Sequence, residues 1–160
     1  MMIIDSHLDL SWNALNWKRD LTKSIAEIRR SEEGTKDRRR GHNTVSFPEM
    51  QKAGVAVCLA TVLARCGQLK DPLLDYPSRE IASAMGVGQV EYYRIMESQG
   101  HMRMLRDLPA LEAHMAEWNS AGGSADHCAS RVPGGAARVG CPHWVDSAPN
   151  RCAIITLSVP

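Results

Sequence analysis

Long hydrophobic runs are missing from this chain of 160 residues. No stretch approaches the roughly 18 apolar residues that a membrane-spanning helix needs. At the N-terminus, no basic segment precedes an apolar one, and Asp5, His7 and Asp9 interrupt the apolar residues, so no secretory signal peptide is predicted. These absences predict a cytoplasmic protein without a membrane partner.

Paired cysteine motifs are also missing. The chain has five cysteines, and no two of them have the C-x-x-C spacing of a zinc knuckle. An odd number without a secretory signal argues against a disulfide framework and predicts free thiols. One alternative is a zinc quartet formed by His127, Cys128, Cys141 and His143. Its H-C-x12-C-P-H pattern is not a spacing that structural zinc sites use.

An excess of either charge is absent, since 19 Lys and Arg balance 18 Asp and Glu to a net charge of +1. The densest basic segment, residues 29–40, also contains acidic residues. This pattern predicts a solvated helix end and loop. A nucleic-acid patch is the alternative, but no aromatic residues are interleaved with these arginines. No nucleic-acid partner is therefore expected.

The apolar pattern predicts alternating strands and helices. Strands are predicted over residues 3–10 and 55–63, the second buried on both faces as in a parallel sheet. Apolar residues three and four apart predict helices at 20–33, 48–52, 79–105 and 107–118. Segments 34–46 and 65–78 are predicted loops. The buried face of helix 79–105 is predicted to hold Ile81, Met85, Tyr92, Ile95 and Met96. Strands separated by helical crossovers predict an α/β fold with a parallel sheet.

The first strand, IIDSHLDL, carries polar side chains at alternate positions. One face is predicted to hold Ile3, Asp5, His7 and Asp9. The other face, predicted to pack on helices, holds Ile4, Ser6, Leu8 and Leu10. His7 and Asp9 lie at the carboxyl end of the strand, where active sites of parallel barrels form, and their side chains are ligands that Zn²⁺ accepts. Since H-x-D alone is a weak signal, the alternative is a pair that bonds to loop backbone.

This strand stands at the start of an α/β chain, and it resembles the first strand of a known protein family. I-I-D-S-H-L-D-L is similar to the first strand of the membrane (renal) dipeptidase family of zinc metallopeptidases, which opens with D-x-H-x-D. The stretch N-T-V-S-F-P-E-M-Q-K-A-G-V-A-V-C-L-A-T-V at 43–62 is similar to the family's loop, turn and second strand. The resemblance covers Met1 to about Asn119. It implies a (β/α)8 TIM barrel, of which this chain would be an incomplete piece, because such a barrel takes roughly 250 residues.

The resemblance also implies a function. In that family, two divalent ions share a bridging carboxylate, and His7 and Asp9 match the pair that binds one of them. A metal-activated water would then attack the peptide bond of a dipeptide substrate. The implied protein is a zinc-dependent dipeptidase, with at most one half of a binuclear zinc site in this chain; the resemblance leaves a homodimer open.

The remaining ligands that the resemblance implies are missing. The bridging Glu should follow the helix that ends near Trp118, but the last Glu of the chain is Glu117, inside that helix. The two later His ligands and the basic substrate-binding residue belong to strands that the chain does not reach. No catalytic or substrate-binding residue is therefore assigned. Two alternatives stay open: a catalytically inactive barrel fragment, and an amidohydrolase-type metal hydrolase, although those more often carry H-x-H on the first strand.

The composition changes after the predicted last helix. Residues 121–152 contain no Leu, Ile, Met, Phe, Lys or Glu, so too little apolar surface is available to order them. In this part of the chain, a short strand is predicted only over residues 154–159. We divide the chain into dipeptidase-like β/α units at 1–119 and a poorly ordered tail at 120–160, which we hypothesise to be a frameshifted ending. Translation of the gene in the other two frames tests this, since the hypothesis requires a strand followed by Glu-Gly in one of them.

Overall fold

The computed structural model describes residues 2–67 and 71–120, and the backbone of residues 153–156. Its strands are β1 (Ile3–Leu8), β2 (Val55–Ala60), β3 (Arg65–Cys66), β4 (Asp75–Tyr76), β5 (Arg103–Leu105) and β6 (Ala153–Thr156). Its helices are α1 (Leu10–Asn16), α2 (Ile25–Ser31), α3 (Phe47–Ala53), α4 (Arg79–Ser98) and α5 (Leu108–Ser120). A parallel sheet has the order β1-β2-β6-β5, and β3 and β4 form a second, two-stranded parallel pair. The α/β class predicted from the sequence is therefore confirmed.

The four-stranded sheet is open over the described ranges, with β1 and β5 as its outer strands. These ranges show no closed barrel. Strand β6, which overlaps the strand predicted at 154–159, lies between β2 and β5. The rest of the predicted tail, 121–152 and 157–160, lies outside the described residues, as does the alternative zinc quartet. Within the described part, Cys58 and Cys66 are free, as predicted for them.

Strand β2 is buried on both faces, as its continuous apolar sequence predicts. Val55 and Cys58 belong to one core cluster, and Ala56 and Val57 belong to a second cluster, which also contains residues of β5 and α5. The largest buried members of the first cluster are Leu10, Leu21, Phe47, Tyr93 and Met102. Helices therefore cover both sides of β2. Among the described helices, none combines the length and the apolar character that crossing a membrane requires.

Strand β1 is shorter than predicted and its faces are assigned differently. It ends at Leu8, because α1 begins directly afterwards: the Asp9 carbonyl accepts the Asn13 N–H at 2.9 Å. The prediction that Ile4 packs on helices is wrong, since Ile4 is 61% exposed. Leu8 contacts the core as predicted, and so does Ile3, which was predicted on the opposite face. The pairing of β1 with β2 shifts register between Asp5 and Leu8, which breaks the simple alternation of faces.

Helix α2 begins five residues later than the prediction over 20–33. Ser24 and Glu27 form a capping box, in which each side chain bonds to the backbone of the other. This cap starts the helix at Ile25. The apolar spacing extended the prediction too far, because Leu21 is a buried core residue that lies before the helix.

The predicted helix over 79–105 is two elements. Helix α4 ends at Ser98, and Gly100 follows with φ +80°, a conformation that glycine adopts at little cost and that reverses the chain. Arg103–Leu105 is then strand β5. The predicted loop over 65–78 also contains the short strands β3 and β4. In contrast, α3 agrees with the helix predicted over 48–52 to within one residue at each end, and Gly54 caps its carboxyl end with φ +78°.

The basic segment is only in part a solvated loop. The Arg40 guanidinium lies 5.4 Å from the centre of the Trp17 ring and 3.3 Å from Glu32 Oε1. Its side chain is 24% exposed. The prediction of a fully solvated segment is therefore wrong for Arg40, because an aromatic residue from the end of α1 packs against it.

Candidate functional site

His7 and Asp9 lie at the carboxyl end of β1. His7 Nε2 is 3.4 Å from Asp9 Oδ2, and the side chains are 68% and 29% exposed, respectively. Two ligand atoms, each about 2.0–2.1 Å from a zinc ion at a tetrahedral angle, lie about 3.4 Å apart. The separation of this pair therefore fits two ligands of one zinc ion.

Asp5, which was predicted to share a face of the strand with His7 and Asp9, lies apart from this pair. Its carboxylate accepts the backbone N–H of His7 at 2.9 Å. The Asp5 side chain lines a cavity of about 460 Å³ together with Ser46 and Glu49. Neither His7 nor Asp9 lines that cavity. Asp5 thus shapes the end of β1 through the backbone and adds no third ligand.

Thr61 joins the site from the neighbouring strand, and the sequence analysis did not identify it. It follows β2 directly, and its hydroxyl donates a hydrogen bond to Asp9 Oδ1. Its backbone N–H donates to the Leu8 carbonyl at 3.0 Å. Thr61 therefore connects the ends of β1 and β2 and binds one oxygen of the Asp9 carboxylate, while the other oxygen faces His7.

A buried polar network lies behind Thr61. The Tyr93 hydroxyl donates to the Thr61 carbonyl at 2.9 Å and accepts the Ser11 N–H at 3.1 Å. Burial raises the pKa of Tyr93 to about 12, so the phenol keeps its proton and can donate. Gln89 bonds to both backbone groups of Leu63, at 2.8 and 2.7 Å. Helix α4 thereby holds the segment that follows β2 in place.

The sequence carried only a faint signal for this network. Gln89 and Tyr93 are four residues apart, so they share one face of α4, and both are fully buried. Of the apolar residues predicted on the buried face, Ile81 and Ile95 are each 44% exposed. The apolar pattern was a poor guide here, because the face that packs at the end of β2 is polar.

A complete zinc site is not formed by the described residues. Over residues 2–67 and 71–120, no three His, Cys, Asp or Glu side chains are grouped so that they could hold a metal ion. Structural and catalytic zinc ions take four or more ligands, of which at least three come from the protein. His7 and Asp9 therefore fit one half of such a site, and the bridging Glu that the resemblance implies is not beside them.

Comparisons of the chain with protein-family models, with curated proteins and with solved structures found no match. They assign no family to the chain. The functional interpretation therefore depends on the geometry at the ends of β1 and β2 and on the resemblance of the first strand.

Proposed function

We propose that the chain is a metal-dependent, dipeptidase-like hydrolase that carries one half of a zinc site, and that β1, β2 and the helices around them are the first β/α units of a (β/α)8 barrel. The proposal is confined to these units, because β6 lies between β2 and β5, whereas the strands of such a barrel neighbour one another in chain order. The observation that carries this proposal is the 3.4 Å separation of His7 Nε2 and Asp9 Oδ2. It supports the proposal because an imidazole nitrogen and a carboxylate oxygen at this distance suit zinc.

The position of the pair supports the same function. Parallel β/α sheets place their reactive groups at the carboxyl ends of the strands, and His7, Asp9 and Thr61 all lie at the carboxyl ends of β1 and β2. The His7 ring is mostly exposed, so a ligand from solvent can reach it. A bound zinc ion would polarise a peptide carbonyl and lower the pKa of a bound water.

The first prediction concerns zinc binding by the 160-residue chain. We expect it to bind zinc at one ion per chain. We expect His7→Ala to abolish this binding, because Asp9 is then the only proposed ligand that remains. Zinc is measured by competition with a chromophoric chelator. His42→Ala is the matched control, since His42 is also exposed but lies far along the chain from the pair. Zinc binding that survives in His7→Ala, or that is absent in the parent, contradicts the proposal.

A panel of dipeptides then separates the enzyme from the inactive alternative. Hydrolysis that depends on both zinc and His7 identifies an active dipeptidase. Zinc binding without hydrolysis identifies a non-catalytic barrel piece, which the lack of a third ligand among the described residues favours. Hydrolysis of other amides, with dipeptides left intact, identifies the amidohydrolase-type alternative.

A further inference from the structure

A cavity of about 460 Å³ lies between β1 and α3, and its lining is divided between apolar and polar side chains. The apolar ones are Leu8, Val45, Met50, Ala53 and Val55, and the polar ones are Asp5, Thr44, Ser46 and Glu49. Sites for small molecules have volumes of roughly 300–1,000 Å³ and combine an apolar lining with a few polar groups. The cavity therefore has the size and the mixed lining that a small organic ligand requires.

The charged groups that line this cavity are both negative. Asp5 and Glu49 are half-buried, and neither forms an ion pair with the side chains of residues 2–67 and 71–120. Asp5 Oδ1 accepts the backbone N–H of His7 at 2.9 Å, a bond that leaves the negative charge in place. A concave surface lined by one sign of charge attracts ligands of the opposite sign, so this cavity favours a cation.

The hydroxyl of Ser46 is a third polar group of the lining. Ser46 is 0% exposed, and within the described part of the chain its Oγ has no hydrogen-bond partner. Although Ser46 immediately precedes α3, its side chain does not cap that helix. Buried polar groups are normally hydrogen-bonded, since an unpaired one destabilises the fold. A donor group of a ligand in the cavity would supply the partner that Oγ lacks.

The chemistry of these groups suits an amine and not a metal ion. Calcium takes six to eight oxygen ligands and magnesium needs an octahedral set, whereas the cavity supplies two carboxylates. An ammonium group offers three N–H donors, which matches the oxygens of Asp5, Ser46 and Glu49. We propose that this cavity binds a small primary amine in its ammonium form, with the apolar body of the ligand against Leu8 and Met50.

This inference does not rest on the proposed function, because neither His7 nor Asp9 lines the cavity. The probe is 2-phenylethylamine, added to the full 160-residue chain at pH 7 and followed by NMR of the backbone amides. Its neutral counterpart of similar shape is 2-phenylethanol. We expect the amine to bind at least about tenfold more tightly than the alcohol, because only an ammonium group forms charge-assisted hydrogen bonds with carboxylates. The amide signals of Ser46 and Glu49 should shift.

Three substitutions in the lining test which groups hold the amine. Glu49→Gln and Asp5→Asn keep the shape and remove one charge each, and we expect each to weaken amine binding about tenfold. Ser46→Ala should weaken it about threefold, because one uncharged hydrogen bond is lost. Glu112→Gln is the matched control: Glu112 is exposed on α5, and its loss should leave the affinity within about twofold of the parent.

Several results would overturn the proposal. Equal affinities for the amine and the alcohol would mean that the cavity recognises apolar bulk only, and no binding of either would mean that it is not a site. An equal loss in Glu49→Gln and Glu112→Gln would show a general effect of net charge. If Ser46→Ala lowers the urea midpoint and leaves amine affinity unchanged, its hydroxyl caps α3 in solution and takes no part in binding. Should Asp5→Asn unfold, Glu49→Gln on the helix carries the test.

Discussion

At the scale of the residue, Glu32 shows how a charge can be buried in this fold. It is 5% exposed, although carboxylates are seldom so buried without partners. Arg19 donates to both of its oxygens, at 2.7 and 3.1 Å, and the Gly41 N–H donates at 2.6 Å. The hydrogen bond from Arg19 is the main cause that lowers the pKa of Glu32 from its usual 4.5. Glu32 thereby anchors the basic segment to the end of α2.

The second prediction is that Glu32→Gln lowers the free energy of unfolding by about 3 kcal/mol, because Arg19 then stays buried without its counter-charge. Urea denaturation at pH 7 measures this loss. Glu33→Gln is the control, since Glu33 is exposed, and it should change stability by less than about 0.5 kcal/mol. An equal loss of unfolding free energy in both variants would contradict the role given to the Glu32–Arg19 ion pair.

The lowered pKa of Glu32 also fixes the pH dependence of that difference. A carboxyl group whose pKa is lower in the folded state stabilises the protein above its unfolded pKa, and this stabilisation is lost as the pH falls through the folded value. The difference in the free energy of unfolding between the parent and Glu32→Gln should therefore have its full value above about pH 4.5 and should decrease on further acidification. If this difference stays constant down to pH 3, the destabilisation in Glu32→Gln comes from altered packing and not from the lost charge.

At the scale of the element, a buried histidine of α5 forms a hydrogen bond to the sheet. His114 is 2% exposed, and its Nε2 lies 3.0 Å from the Ala56 carbonyl of β2, to which the Nε2–H donates. Burial lowers the pKa of His114 from its usual 6.5. The ring therefore stays neutral in the folded chain, and protonation opposes the packing of α5 on β2.

The third prediction follows from this pKa. Between the folded pKa and the usual 6.5, the unfolded chain binds a proton at His114 that the folded chain does not, so stability falls as the pH drops from 7 into this range. His114→Gln places an amide N–H near the position of Nε2 and does not titrate, so it should flatten this pH dependence of the melting temperature. His42→Gln, at an exposed histidine, should leave the dependence unchanged; a slope in His114→Gln equal to that of the parent would refute the role of His114.

At the scale of the whole molecule, the open sheet has an outer strand with an apolar side chain in solvent. Within the described residues, β1 pairs with β2 alone, and Ile4 on β1 is 61% exposed. Unpaired strand edges favour association with other chains. This edge lies beside the proposed half-site, so association through it would occur next to His7 and Asp9.

The fourth prediction is that Ile4→Lys reduces concentration-dependent self-association, because a charge on an outer strand opposes edge-to-edge pairing. Sedimentation velocity over a range of concentrations measures this. Val87→Lys is the matched control: Val87 is 63% exposed on helix α4 and has no strand edge. Equal effects of the two substitutions would mean that general surface charge, and not the edge of β1, controls association.

The fold class was predictable from the chain, whereas the boundaries and the site were less so. The continuous apolar run of β2 predicted a strand buried on both faces, and the structure confirms this prediction. Helix α1 was missed because a single residue, Asp9, separates it from β1, and the apolar pattern of the strand was extended to Leu10. Strand β5 was missed because Met102, Met104 and Leu105 continue an apolar pattern, while one glycine, Gly100, reverses the chain.

The sequence by itself determined the parallel α/β arrangement and the proximity of His7 to Asp9, because apolar periodicity and a two-residue spacing are local properties. Only the tertiary structure decided how Asp9 is held. Asp9 meets Thr61 across 52 positions of the chain, and Ser11 meets Tyr93 across 82. Contacts of such range leave no local pattern, because they arise only when the strands pair and α4 packs at the ends of β1 and β2.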